Sequence, residues 1–138
     1  MKQEFSTKWI GSKNPRKQRK YLHNAPLHIR GKFLNAHLSK ELRVKHGKRG
    51  IPLRKDDEIL IMRGSFSKKK AKVLSVDTKR TRVVLDGITR NKRDGTKVPV
   101  FFHPSNLQII LLNAEDKERL KILTRGKEKN NAPNKSTN

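Results

Sequence analysis

The chain has 138 residues, 35 of them Lys or Arg against 12 Asp or Glu, for a formal net charge of +23. Such an excess suits a polyanionic partner and argues against a small metabolic enzyme, which would repel itself with nothing gained. Only 32% of residues are hydrophobic and none is cysteine, so the core is small, and a disulfide framework, a thiolate metal site and a cysteine nucleophile are excluded.

Basic residues crowd the N-terminal side: residues 1–55 carry 16 basic and 2 acidic side chains, residues 56–112 carry 12 and 6, and residues 113–138 carry 7 and 4. Residues 1–52 read as a basic extension. Its run Lys13, Arg16, Lys17, Arg19 and Lys20 lacks apolar periodicity and is expected to stay extended until a partner orders it. A first short helix is expected with Asn24 as cap, Pro26 in the first turn, and Leu27, Arg30 and Leu34 at helical spacing. Gly31 weakens it by roughly 1 kcal/mol. A second helix starts at Ser39 and stops at Gly47, which suits a left-handed cap.

From Leu53 the apolar period falls to two. Strands are predicted around Ile59–Ile61, Lys72–Asp77, Val83–Leu85, Ile88–Lys92 and Lys97–Phe102, the last two joined by the hairpin signal Arg93-Asp94-Gly95-Thr96. Pro99 cannot donate to a ladder and belongs on an edge. His103-Pro104-Ser105-Asn106 turns the chain into a last strand, Leu107–Leu111. Short strands at this spacing describe a mainly β fold, a small barrel over 53–112. A C-terminal helix follows over 113–126, started at Asn113 and Asp116 and ended by Gly126, and 127–138 is a polar tail expected to be disordered. No apolar stretch reaches the roughly eighteen residues of a membrane span, and none follows the N-terminus, so neither membrane insertion nor a secretory signal is expected.

Catalysis finds little support: no Ser/His/acid order, separated carboxylate pair or phosphate-gripping Gly-rich loop occurs. Asp56-Asp57-Glu58 reads as solvated or paired with Arg54, Lys55 and Arg63 rather than as a metal site. The five histidines lack zinc spacing. Among the aromatics, Phe33 and one of Phe101 or Phe102 read as packing. Trp9 and Phe66 are as suited to contact with RNA or a neighbouring protein as to local packing.

Asp57-Glu58-Ile59-Leu60-Ile61-Met62-Arg63-Gly64-Ser65-Phe66 followed by Lys72-Val73-Leu74-Ser75-Val76-Asp77 resembles a KOW motif, the strand-loop-strand unit of SH3-like barrels. Asn24-Ala25-Pro26-Leu27-His28-Ile29-Arg30, Ala36-His37-Leu38-Ser39-Lys40-Glu41-Leu42-Arg43, Pro52-Leu53-Arg54-Lys55-Asp56-Asp57 and His103-Pro104-Ser105-Asn106 occur in matching order around it. Together they resemble the archaeal and eukaryotic form of the universal large-subunit ribosomal protein twenty-four family, in older eukaryotic naming L twenty-six. The resemblance implies a non-enzymatic, cofactor-free constituent of the cytoplasmic ribosome with an SH3-like barrel. It further implies binding to the 5′ domain of the large-subunit rRNA, a part in early assembly, and a place near the nascent-peptide tunnel exit. Partners would be rRNA, neighbouring large-subunit proteins and factors at the tunnel exit, without homo-oligomerisation. A KOW module of a transcription elongation or antitermination factor is the alternative, although such a factor normally has a further N-terminal domain.

Charge and resemblance together assign RNA contact to Lys13, Arg16, Lys17, Arg19 and Lys20; to His28, Arg30, Lys32, His37, Lys40, Arg43, Lys45, Lys48 and Arg49; to Arg54, Arg63, Gly64, Ser65, Phe66, Lys68, Lys69 and Lys70; and to Arg90, Lys92, Arg93, His103 and Ser105. The family's KOW loop usually has glycines where this chain has Lys68 and Ala71. A Lys there either accepts a strained backbone or takes another turn, and Lys68–Lys70 are expected to supply charge in place of close backbone approach.

Overall fold

Alternating apolar positions place one row of each strand against a common core, and the strands of the computed structural model, which describes residues 4–125, form a seven-stranded mixed sheet. They are β1 (Asn35–Leu38), β2 (Gly50–Pro52), β3 (Glu58–Ile61), β4 (Lys70–Asp77), β5 (Arg82–Asn91), β6 (Lys97–Phe102) and β7 (Leu107–Leu111). The order is β2-β1-β7-β3-β4-β5-β6. The β1–β7 pair is parallel and the others are antiparallel. No pairing joins β2 to β6 among the described residues, so the ladder is open.

Two of these strands lie inside the predicted extension. β1 and β2 dock on the sheet through β7, with His37 opposite Gln108 and Ala36 opposite Ile51. Gly50 is required at this junction: a Cβ there would stand 2.6 Å from the backbone oxygen of Ala36, which a strand in register cannot move. The two strands predicted around Val83 and Ile88 are one, β5, whose pairing with β6 shifts between Val84 and Thr89 and which carries Gly87 at φ +71°. Pro99 does lie on the edge strand, β6. In the hairpin, Gly95 takes φ +81°, and Asp94 accepts from the Thr96 hydroxyl at 2.7 Å and its N–H at 3.0 Å. Those two bonds, the hydroxyl's first, hold the Asp94 carboxyl below its ordinary value.

The helices are α1 (Pro15–Asn24), α2 (Leu27–Phe33), α3 (Lys40–His46) and α4 (Lys117–Thr124). The caps predicted for α3 are present: Ser39 Oγ accepts from the Leu42 N–H at 3.3 Å, and Gly47 is left-handed at φ +63°. α2 begins without a side-chain cap behind Pro26; Asn24 instead ends α1 and donates to the Glu4 carbonyl at 2.9 Å. α4 is capped by Asp116, which accepts from the Glu118 N–H at 2.8 Å, while Asn113 accepts from the Glu115 N–H. Gly126 and the predicted tail lie outside the described residues.

The basic run is not extended. From Arg16 on it forms α1, entered through Asn14, which accepts from the Arg16 N–H, with Pro15 in the first turn. What the reading of charge missed is Gln18, whose amide donates to the carbonyls of Trp9, Ile10 and Ser12 at 3.2, 3.1 and 2.6 Å. It ties a 3-10 turn at Thr7–Gly11 to the helix. Tyr21, Ala25 and Ile29 bury a separate small core there, joined by Phe5, Trp9 and Phe33, with the Phe5 and Tyr21 rings stacked at 5.1 Å. Trp9 is therefore local packing.

The main core contains Leu38, Ile51, Ile59, Ile61, Val83, Leu107 and Ile109, none more than 1% exposed. At its rim sits a buried ion pair. Arg119 of α4 grips Asp57 with two parallel bonds of 2.6 Å, and Nη1 and Nη2 also reach the carbonyls of Asn113 and Pro52, while the buried Nε has no partner among the described residues. Asp57 also accepts from the backbone N–H groups of Arg54 at 2.9 Å and Asn113 at 3.0 Å. This corrects the reading of the acidic cluster: Asp57 is fully buried and its ionic partner is Arg119, 62 residues away, while Glu58 meets Lys72 at 3.8 Å.

Candidate nucleic-acid interface

Because carboxylates are few, many cations that folding does not pair remain turned outward, and three surfaces each gather several of them. The first is α1 with Lys13 just ahead of it, where Lys13, Arg16, Lys17, Arg19 and Lys20 are all exposed while Gln18 and Tyr21 face inward. Lys20 Nζ also lies 5.3 Å from the centre of the Trp9 ring.

The second surface is the β5–β6 hairpin. Arg90, Lys92 and Arg93 border a shallow depression floored by Val98, Pro99 and Val100.

The third is a groove between the loop after β3 and the end of β6. Its walls include Arg63, Gly64, Ser65 and Phe66 on one side and Arg82, Arg90, Phe101, Phe102, His103 and Asn106 on the other. Six residues assigned to RNA contact thus meet here, with no carboxylate among the lining residues described. Arg82 and Phe101 also belong to it and were missed. Cross-strand register was the signal that could have found them: Val84 faces Phe101 and Val83 faces Phe102, which continues to Arg82 beside His103 and puts Arg82, Val84, Phe101 and His103 on one face. Of the two neighbouring rings, Phe102 is buried and Phe101 is 50% exposed.

His103 is fixed by its own turn. Its Nδ1 accepts from the Ser105 N–H at 3.3 Å and lies 2.8 Å from the Ser105 hydroxyl. Partial burial, and after it the charge of Arg82, hold the imidazole below its ordinary value of 6.5. A neutral ring with Nδ1 as acceptor carries its proton on Nε2. Because the unfolded chain then binds more protons, this residue contributes stability above about pH 6.5 that is lost as pH falls through the lower folded value. His103→Asn keeps an acceptor for the Ser105 N–H and removes the titration; urea midpoints measured from pH 7.5 to 5.5 should fall less steeply in that variant.

In the KOW-like loop, Lys68 takes the left-handed backbone at φ +67°, beside Gly64 at φ +94°. A non-glycine residue there costs about 1–2 kcal/mol. The turn is held by the Lys68 N–H donating to Ile61 at 2.7 Å and the Ile61 N–H donating to Lys69 at 3.0 Å. Ala71 lies within β4 and needs no special backbone. Lys68, Lys69 and Lys70 are all exposed. Lys69 covers the Phe66 ring at 5.5 Å, and that ring also meets Phe102 edge-on at 6.0 Å, so Phe66 is tied into local packing.

Other assigned residues turn inward or stand apart. Arg30 donates to the carbonyls of Ala25, Lys79 and His23, Arg43 to Leu38 at 2.8 Å, and Lys48 to Ile122, while Arg54 pairs with Asp116. These side chains stitch helices to neighbouring backbone. His28, Lys32, Lys40, Lys45 and Arg49 are exposed away from the groove, and His37 is half-buried on β1.

Comparison with known proteins follows the same outline. Residues 12–126 match the family described as ribosomal proteins L26 of eukaryotes and L24 of archaea. The chain is 48% identical over 116 residues to the large ribosomal subunit protein uL24 of Korarchaeum cryptofilum, covering 84% of this chain and 88% of that protein. It is 46% identical over 114 residues to the protein of the same name from Methanothrix thermoacetophila, covering 83% of this chain and 98% of that one. With most of its length matched in both comparisons, the chain belongs to the family of ribosomal proteins that unites eukaryotic L26 with archaeal L24.

Proposed function

We propose that this chain, a structural constituent of the large ribosomal subunit, binds the 5′ domain of the large-subunit rRNA, assists early subunit assembly and lies near the nascent-peptide tunnel exit. Family membership carries the ribosomal part of this reading. The carboxylate-free groove and the exposed cationic face of α1 support RNA as the direct partner. Residues 1–52 act as the gripping extension, anchored by β1 and β2. Residues 53–112 act as the SH3-like platform and the following helix as its cover. Recognition is by shape and phosphate geometry, because the A-form major groove is too narrow for side-chain reading. Neighbouring ribosomal proteins and tunnel-exit factors complete the partners, and no cofactor enters the reading.

Sucrose-gradient sedimentation of native lysate at rising salt tests it. Co-migration with the large subunit at near-equal stoichiometry, surviving high salt, is the expected result. Migration with RNA polymerase or as free protein would overturn it. Crosslinks to the rRNA 5′ domain would separate the finer placement from ribosome association as such.

A further inference from the structure

The groove between the β3–β4 loop and the end of β6 contains more than charge. Its lining supplies three arginines from two segments, Arg63 from the loop and Arg82 and Arg90 from β5. It also supplies a half-exposed ring, Phe101, on the sheet face that Arg82 and His103 share. Phe66 is already covered by Lys69 and abutted by Phe102, so Phe101 is the ring of this groove with open surface. Asp77, opposite Arg82 across the sheet, is engaged by the Arg80 N–H at 3.0 Å and does not line the groove. The cavity, about 550 Å³, falls within the range of small-ligand clefts.

A double-stranded backbone makes no use of an exposed aromatic ring, since its bases are stacked on one another; an unpaired base does. We propose that this groove is a subsite for a single unpaired nucleotide extruded from the bound RNA, its base stacked on Phe101 and its flanking phosphates held by Arg63, Arg82 and Arg90. His103 presents its Nε2–H as a neutral donor at the rim. This rests on the RNA-binding reading above and adds to it a preference for interrupted helices over continuous ones.

The test uses the full chain and two RNA hairpins closed by a non-nucleotide linker, so that no loop base is unpaired, one fully paired and one with an added single-nucleotide bulge carrying 5-iodouridine. The bulged hairpin should bind roughly tenfold more tightly, the size of one base–aromatic stack. Phe101→Ala should remove that ratio, and Phe101→Trp should preserve it. Photocrosslinking should join the bulged base to the peptide containing Phe101. Equal binding of the two hairpins, a ratio unaffected by Phe101→Ala, or crosslinks elsewhere would overturn the subsite while leaving RNA binding intact. Absence of binding to either hairpin would sink the RNA-binding reading with it. Circular dichroism identical to the parent chain shows that each variant folds, as expected for an exposed side chain.

Discussion

Arg119→Ala should cost about 3–5 kcal/mol of folding stability, the range seen when one member of a buried ion pair is removed. The cause is not the lost attraction alone. Asp57 is fully buried, and two backbone N–H groups cannot replace a guanidinium that supplied two bonds of 2.6 Å. α4 would also lose its ties to the carbonyls of Asn113 and Pro52, freeing the helix that carries Leu123 into the core. Since small domains hold only about 5–15 kcal/mol in total, a loss of this size should be visible as a large drop in the urea midpoint. Arg119→Lys retains a charge but not the planar fork, and should lie between parent and Ala. Adding Asp57→Asn to Arg119→Met removes the uncompensated charge, so this double variant should be more stable than Arg119→Ala. A double variant as unstable as Arg119→Ala, although Met restores much of the volume and Asn removes the charge, would show that the lost bonds of the guanidinium dominate.

That pair also marks the limit of what local pattern conveys. α3 was legible because its caps are local: Ser39 and Gly47 act on backbone groups within four residues. The hairpin at Asp94-Gly95 and the edge position of Pro99 follow from equally short-range chemistry. The partner of Asp57 lies 62 residues away, and no spacing rule connects them. β1 and β2 were hidden for a similar reason. At four and three residues each, they are too short to display alternation, and they exist because β7 and the core accept them.

The same distinction runs through the interface. Counting charge found the α1 cations but could not tell them from Arg30, whose three nitrogens turn to backbone carbonyls at the end of α1 and at Lys79. It also drew attention away from Phe101. Adjacent aromatics on a strand point to opposite faces, so Phe101 and Phe102 cannot both be core, but only register against β5 shows which one is outside. In the loop after β3, the question left by the missing glycine is answered by backbone rather than composition. Lys68 accepts the left-handed conformation, and its charged end stays in water.

Neutralising the outer face of α1 should produce the largest change in RNA affinity. The variant Arg16→Gln, Lys17→Gln, Arg19→Gln, Lys20→Gln keeps residues of similar helix propensity and leaves Gln18 and Tyr21 to hold the helix. Every phosphate left without its cation lowers the slope of log affinity against log salt by about 0.7–0.9. If all four residues meet phosphates, the slope should fall by about 3 and the affinity at 0.1 M salt by roughly three orders of magnitude. Circular dichroism matching the parent chain would make the weakened binding a report of direct interaction rather than of a lost helix. Arg30→Gln provides the contrast. Its guanidinium joins Ala25, Lys79 and His23, so it should lower the unfolding midpoint and leave the salt slope of the folded protein unchanged. Filter binding to large-subunit rRNA across a salt series measures both variants. A slope unaltered by the four α1 changes would remove that helix from the interface and shift the RNA onto the groove and hairpin alone.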